Sequence, residues 1–120
     1  MYKLGFIGLG KMGGAILNSI FNNKIVSQKD MILFAHSQDE KYKKLGFKIA
    51  NNEDEVLNNS EFVFIAIKPQ NFAKLYQNTN IFNKNVVIIS VAAGVKINTI
   101  QENLEVEKVI RIIPNTPMLI

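Results

Sequence analysis

Residues 3–17 join a short apolar run to a glycine-rich turn and the start of a helix, Lys-Leu-Gly-Phe-Ile-Gly-Leu-Gly-Lys-Met-Gly-Gly-Ala-Ile-Leu. The apolar run predicts a buried strand, and Gly8, Gly10 and Gly13 match the pattern G-x-G-x-x-G. Gly8 lets the chain turn sharply, Gly10 leaves room for a pyrophosphate, and Gly13 allows close helix packing. A pyrophosphate there would meet the positive end of the helix. The stretch therefore predicts dinucleotide binding; the alternative is a turn that only solves a packing problem.

The composition predicts one globular domain. The chain has 120 residues, of which 48% are hydrophobic, and it contains no cysteine, which excludes disulfides and thiol chemistry. No apolar run reaches the length of about 20 residues that a membrane helix needs. The N-terminus also lacks the pattern of a signal peptide. We therefore expect a cytoplasmic protein with no membrane partner.

The charge pattern argues against two other classes of function. The net charge is +4, but the lysines are scattered and do not alternate with aromatic residues, so no nucleic-acid partner is expected. Glu53, Asp54 and Glu55 form an acidic cluster that the start of a helix explains, because the helix dipole favours carboxylates there. With no histidine or cysteine beside the cluster, no metal site is expected.

Apolar clusters alternate with helical patterns along the chain, which predicts an α/β fold: a Rossmann-like, doubly wound, mostly parallel sheet with helices on both faces. The predicted strands are residues 4–7, Met31 to Ala35, Phe47 to Ala50, Glu61 to Ile67, Val86 to Ser90 and Lys108 to Ile112. The predicted helices are Met12 to Asn22, Gln38 to Leu45, residues 53–58, Gln70 to Tyr76 and Thr99 to Leu104. The expected helix-end residues are Asn22 and Asn23, Gly46, Asn51 and Asn52, and Asn98.

The end of the second predicted strand bears on cofactor choice. An NAD-binding domain usually has a carboxylate there, which holds the ribose 2′-hydroxyl. This chain has Phe34-Ala35-His36-Ser37-Gln38, and its first acidic residues come only at positions 39 and 40. His36 and Ser37 could donate to a 2′-phosphate, and lysines at positions 41, 43 and 44 raise the local potential. The sequence favours NADP over NAD, although His36 could equally be a surface histidine without a role.

Two further segments follow predicted strands, where open α/β sheets bind ligands. Lys68 precedes Pro69, which biases it away from helical conformation. It is predicted to contact cofactor or substrate; the alternative is a solvated loop lysine. The small residues Val91-Ala92-Ala93-Gly94 would allow a flat ring to approach, or would simply form a tight turn. Arg111, in the last strand, needs a partner if it is buried and none if that strand is an edge.

Four stretches of the chain, taken together and in this order, carry a family resemblance: Phe6-Ile7-Gly8-Leu9-Gly10-Lys11-Met12-Gly13-Gly14, Ala66-Ile67-Lys68-Pro69-Gln70, Ser90-Val91-Ala92-Ala93-Gly94-Val95 and Pro114-Asn115-Thr116-Pro117. Together they resemble the pyrroline-5-carboxylate reductases. The resemblance covers the whole chain but only the N-terminal part of a typical member. It implies hydride transfer from NADPH or NADH to the C=N bond of 1-pyrroline-5-carboxylate, which gives L-proline, in proline biosynthesis.

The resemblance also implies site residues. His36 or Ser37 would meet the adenosine ribose or its 2′-phosphate, and Asn52, four residues before Val56 as in the family, would contact the cofactor. The pyrophosphate would be wrapped by Ile7, Gly8, Leu9, Gly10, Lys11 and Met12. The ribose and nicotinamide would be lined by Ala66, Ile67, Lys68 and Pro69, with Val91, Ala92 and Ala93 near the nicotinamide.

In this family the substrate carboxylate site and a proton-donating threonine lie in a helical C-terminal domain, which also makes the homo-oligomer. We therefore expect residues 1–120 to be the N-terminal dinucleotide-binding domain, with no catalytic residue in this chain. The apolar ending Met118-Leu119-Ile120, without a terminal helix, suggests a longer protein. The chain is expected to bind cofactor but not to turn over alone.

Two alternatives remain open at this point. A β-hydroxyacid dehydrogenase of the 3-hydroxyisobutyrate type fits the glycine motif, but that group usually carries Asp-x-Ser-Thr where this chain has Val91-Ala92-Ala93-Gly94. A non-catalytic nucleotide-sensing domain would bind cofactor and lack a catalytic half. The fold alone does not separate these functions.

Overall fold

Six parallel strands form one sheet in the computed structural model, which describes residues 1–37 and 39–113. The strands are β1 (Tyr2–Ile7), β2 (Met31–Phe34), β3 (Lys48–Ile49), β4 (Ser60–Ile65), β5 (Val87–Ser90) and β6 (Val109–Arg111). Their order in the sheet is β3-β2-β1-β4-β5-β6. The order therefore reverses between β1 and β4, and ligands bind at such a switch point in doubly wound sheets. The predicted fold class is confirmed.

Helices cover both faces of the sheet. They are α1 (Lys11–Asn22), α2 (Asp39–Lys44), α3 (Glu53–Asn58), α4 (Phe72–Asn78) and α5 (Ile97–Leu104). Helices α1 and α2 bury Leu17 and Tyr42 in one core, whereas α3, α4 and α5 bury Leu57, Leu75 and Ile100 in the other. No helix in the described ranges is long and apolar enough to cross a membrane.

The central strands are buried on both sides, which explains their continuous apolar sequences. Phe6 and Ile7 are successive residues of β1 and belong to the two different cores, as the two-residue repeat of a strand requires. Phe6 stacks on Phe64 of β4 with ring centroids 4.9 Å apart. Arg111 is exposed on the edge strand β6, so the edge alternative is the correct one.

Several predicted element ends are wrong by one or two residues. Helix α5 begins at Ile97, and the residue before it, Lys96, accepts the Ile100 N–H bond at 3.2 Å, so Asn98 is not its cap. Helix α1 ends at Asn22 with Asn23 as its C-cap, as predicted, but the left-handed conformation expected of an asparagine is taken by Lys24, at a φ of +54°, and Asn23 has a φ of −91°. A bond from the Ile25 N–H to the Ile20 carbonyl fixes that turn.

Other helix ends agree with the prediction. Gly46 follows α2 with a φ of +92°, and Asn52 caps α3 by accepting the Glu55 N–H bond at 2.9 Å. Pro69 begins a single 3₁₀ turn, Pro69–Asn71, immediately before α4. Gln38, the Pro114-Asn115-Thr116-Pro117 stretch and the chain end lie outside the described residues.

Candidate dinucleotide-binding site

The predicted cofactor segments meet at the carboxyl edge of the sheet. The Gly8 N–H donates to the Phe34 carbonyl at 2.9 Å, which joins the ends of β1 and β2. The Ala66 N–H donates to the Ile7 carbonyl at 2.8 Å, which joins β4 to β1. The Val91 N–H extends this edge by donating to the β4 carbonyl of Ile65 at 3.2 Å. The topology thus brings together segments that are far apart in sequence, from Gly8 to Val91.

The glycine turn after β1 has the geometry that its sequence predicts. Gly8 has a φ of +97°, and a Cβ there would collide with the Ala66 carbonyl oxygen. Gly13 is buried, and its Cβ would collide with the Gly8 carbonyl. Among the described residues, Gly10, which precedes α1, has no heavy atom other than those of its chain neighbours within 4 Å of where its Cβ would be. Open space therefore lies in front of the α1 terminus, whose first N–H groups have no partner within the helix.

The side chains around this turn point in different directions. Leu9 is 4% exposed and packs in the core beside α1, so only its backbone faces the turn. Lys11 and Met12 are exposed in the first turn of α1. We conclude that main-chain groups and Lys11 form the polar part of this surface.

A cavity of about 140 Å³ lies where β1, β2 and β4 end. Four of its lining residues were predicted: Ile7, Gly8, His36 and Ile67. Glu53 of α3 and Lys74 of α4 also line it, and neither was predicted to do so. No sequence motif marks them, because they reach the cavity through the packing of helices that belong to other crossovers.

Glu53 and His36 lie close together among the ionisable side chains of this cavity, which also include Lys74. The His36 Nε2 lies 3.9 Å from the Glu53 Oε2, and the Glu53 side chain is only 18% exposed. His36 is exposed and its ring meets Phe34 edge-on, with centroids 5.3 Å apart. Ser37 is exposed beside it. The end of β2 has no acid of its own, as predicted, but α3 supplies one.

Asn52 lies just before α3, and its side-chain oxygen is used by the helix cap. It is exposed and does not line the cavity. Its role as a cap is confirmed, whereas its contact with a cofactor stays a prediction.

The segments after β4 and β5 continue the same edge. Ala66 is half-buried, whereas Lys68 and Pro69 are exposed. Lys68 has extended backbone angles, φ −67° and ψ 147°, as expected before proline. After β5, Val91 and Ala92 are buried and Ala93 is exposed. The Ala92 N–H donates to the Ser90 Oγ at 3.3 Å, which holds this small-residue turn against the strand.

Within residues 1–37 and 39–113, no group of three or more histidine, cysteine or acidic side chains lies close enough to hold a metal ion. The polar groups that this edge does present are glycine-turn N–H groups, a histidine, a carboxylate and lysines around an apolar cleft.

Residues 3–94 match a family model described as NADP oxidoreductase, coenzyme F420-dependent. The chain belongs to this family. Within this family setting, the resemblance to pyrroline-5-carboxylate reductases is also confirmed. The reductase of Staphylococcus haemolyticus is 38% identical over 95% of this chain and 44% of its own length. That of Escherichia coli is 33% identical over 98% of this chain and 46% of its own length.

Solved structures of a pyrroline carboxylate reductase and of a reductive aminase share the fold of this chain. The pyrroline carboxylate reductase of Plasmodium falciparum with NADP bound has a TM-score of 0.78 and 25% identity, over 97% of this chain and 43% of that one. A reductive aminase from Aspergillus terreus, at 11% identity and a TM-score of 0.72, shows the fold alone. The chain thus spans less than half the length of the relatives it matches.

Proposed function

We propose that this chain is the cofactor-binding part of a pyrroline-5-carboxylate reductase. It would hold NADP(H), or NAD(H), for reduction of the C=N bond of 1-pyrroline-5-carboxylate to L-proline. The observation that carries the proposal is the open space at Gly10 in front of α1, at the switch point of the sheet. The reductases among its relatives, one of them with NADP bound, support the choice of substrate and cofactor.

The described residues fit such a cofactor. A Cβ at Gly10 would occupy the open space that the pyrophosphate needs, and the N–H groups at residues 10–12 would bind its oxygens. The cavity beside His36 would take the adenosine ribose, with Ser37 at its rim. The nicotinamide would supply the hydride when bound. The remaining proposed contacts are the backbone of Ile7, Gly8, Leu9, Lys11 and Met12, together with Asn52, Ala66, Ile67, Lys68, Pro69, Val91, Ala92 and Ala93.

The rest of the catalytic unit would come from outside residues 1–120. Because the reductases it matches are about twice as long, we propose a further helical domain that binds the substrate carboxylate, donates the proton and makes the homo-oligomer. A cytoplasmic location is part of the same proposal, since a chain without cysteine suits a reducing compartment.

Calorimetric titration with NADPH and NADH tests the proposal. The wild-type chain should bind NADPH, and Gly10→Ala should weaken binding at least about tenfold, or 1.4 kcal/mol, because its methyl group enters the pyrophosphate space. Asn18→Ala, a change on the exposed side of the same helix, is the matched control and should bind like wild type. Titration with 2′-phospho-ADP-ribose, which lacks the nicotinamide ring, measures binding to the pyrophosphate and adenosine sites even if the nicotinamide site is incomplete in this chain. No binding of any of these ligands would contradict the proposal.

A further inference from the structure

Glu53 is the one member of the acidic cluster that faces the cavity. The Asp54 carboxylate accepts the Asn80 N–H bond at 2.8 Å, and the Glu55 carboxylate accepts the Asn51 N–H bond at 2.8 Å. These two acids therefore hold α3 and its flanking loops. The Glu53 carboxylate has no such bond within the described ranges, although its side chain is only 18% exposed. The His36 Nε2 lies 3.9 Å from it.

The Glu53 carboxylate lies near the end of β2, which is the part of this fold that recognises the 2′ position of the adenosine ribose. In dinucleotide-binding sheets an acid in this region accepts a hydrogen bond from the ribose 2′-hydroxyl, whereas a 2′-phosphate needs cationic or hydroxyl donors. The chain has no acid in the residues that directly follow β2. Glu53 comes from α3, after the second crossover, and lines the same cavity as His36 and Gly8.

We propose that Glu53 is the specificity-determining residue that limits the preference for NADP(H) over NAD(H); this rests on the proposed function. Its carboxylate accepts a hydrogen bond from the 2′-hydroxyl of NAD(H) and repels the 2′-phosphate of NADP(H). Because its carboxylate lies 3.9 Å from the His36 Nε2, it also competes with the phosphate for that donor.

Cations near the cavity oppose this effect without removing it. Lys74 lines the cavity from α4, and Lys11 is exposed in the first turn of α1. Their positive potential favours any phosphorylated ligand and so raises the affinity for both cofactors. Glu53 acts on the difference between the cofactors, because only one of them carries charge at the 2′ position. The chain should therefore bind both cofactors, and the ratio of its affinities for NADP(H) and NAD(H) should be smaller than the lysines alone would give.

The test compares Glu53→Gln with Glu61→Gln by calorimetry. Both changes remove one negative charge, but Glu61 is exposed at the start of β4, at the opposite end of the strand from the cavity. The ligands are NADPH, NADH, 2′-phospho-ADP-ribose and ADP-ribose. In Glu53→Gln the ratio of affinities for the 2′-phosphorylated and unphosphorylated ligands should rise about tenfold, the scale of one partly screened charge pair. In Glu61→Gln it should stay within about twofold.

A second pair of variants tests the His36 part of the mechanism. His36→Gln in the wild-type background should weaken NADPH binding only slightly, because Glu53 already engages the histidine. In the Glu53→Gln background the same change should cost several-fold more, a non-additivity that a double-mutant cycle measures. Retained cofactor binding with an unchanged ratio in Glu53→Gln would overturn this inference and leave the proposed function standing. Binding of none of the four ligands by the wild-type chain would overturn both.

Discussion

At the scale of single residues, Gly8 and Gly10 belong to one motif, but glycine is needed at the two positions for different reasons. Gly8 has a left-handed backbone and touches the Ala66 carbonyl, so the fold itself requires it. Gly10 has extended backbone angles, φ −73° and ψ −154°, and a Cβ there would meet nothing in the described part of the chain, so the fold does not require glycine at this position. The sequence pattern predicted both positions, and the structure distinguishes the reason for each.

Gly8→Ala should therefore destabilise the chain. The left-handed conformation costs an L-residue about 1–2 kcal/mol, and the steric conflict with the carbonyl adds a similar amount, so we expect a loss of about 3 kcal/mol in the free energy of unfolding. Urea denaturation measures it. Gly10→Ala, as the control, should stay within about 1 kcal/mol of wild type. Equal losses in the two variants would show that the distinction between them is wrong.

The hydroxyl of Tyr76 gives a prediction that depends on pH. It is buried without a hydrogen-bond partner in the described part of the chain, and burial raises the pKa of Tyr76 above its usual 10.0. Because the folded state disfavours the phenolate, this contribution to stability is constant below pH 10 and declines as the pH rises through the folded-state pKa.

Tyr76→Phe removes an unsatisfied hydroxyl and keeps the ring, which packs edge-on against Phe72 with centroids 6.0 Å apart. At pH 7 the variant should be as stable as wild type or up to about 1 kcal/mol more stable. Between pH 9 and pH 11 its urea midpoint should fall less steeply than that of wild type. A loss of more than about 1 kcal/mol at pH 7 would mean that the hydroxyl has a partner.

At the scale of elements, buried Asn58 connects α3 to the loop that precedes β5. Its Oδ1 accepts the N–H bonds of Phe82 at 2.9 Å and Asn83 at 3.1 Å, and its Nδ2 donates to the Asn80 carbonyl at 3.1 Å. Asn58→Ala leaves three backbone groups unpaired. We expect a loss of about 2–3 kcal/mol in the free energy of unfolding, measured with urea.

Asn59→Ala is the matched control for that variant. Asn59 is exposed, and within the ranges that the structure describes its side chain makes one hydrogen bond, to the Glu55 carbonyl at 2.8 Å, so its loss should cost less than about 1 kcal/mol. If both variants lost the same stability, the loop would not depend on Asn58.

The elements themselves were predictable because each carries a local periodicity, and their ends were less so. The run from Phe62 to Ile67 is apolar throughout, so nothing in its composition marks the end of β4 at Ile65. That end is set by pairing, since β1 finishes at Ile7 and its carbonyl takes the Ala66 N–H. In α5, packing of Ile100 and Leu104 decided the register, and the capping preference of Asn98 did not.

At the scale of the whole molecule, the sheet order explains which parts of the site could be predicted. Residues that follow strands share one edge in any parallel doubly wound sheet, so Gly8, His36, Ala66 and Val91 could be placed together from the sequence. Glu53 could not, because it begins a helix, and only the packing of α3 against β1 and β2 brings its carboxylate to His36. That placement depends on tertiary structure, for which a single sequence carries no local pattern.

The same arrangement predicts that this chain binds cofactor without reducing substrate. The charged side chains around the cavity, His36, Glu53 and Lys74, lie on the adenosine side in our proposal, whereas the segment proposed to face the nicotinamide, residues 91–93, is apolar. A proton donor must come within hydrogen-bond reach of the imine nitrogen. Residues 91–93 have no side chain able to donate, and in our proposal Lys68 only lines the cofactor while the donor comes from outside residues 1–120. With saturating NADPH and 1-pyrroline-5-carboxylate, loss of the absorbance of the reduced nicotinamide, which donates the hydride, should not exceed background. Gly10→Ala is the control for a contaminating reductase. Turnover that persists in this variant would come from a contaminant, whereas turnover that the variant abolishes would belong to the chain and would contradict the prediction.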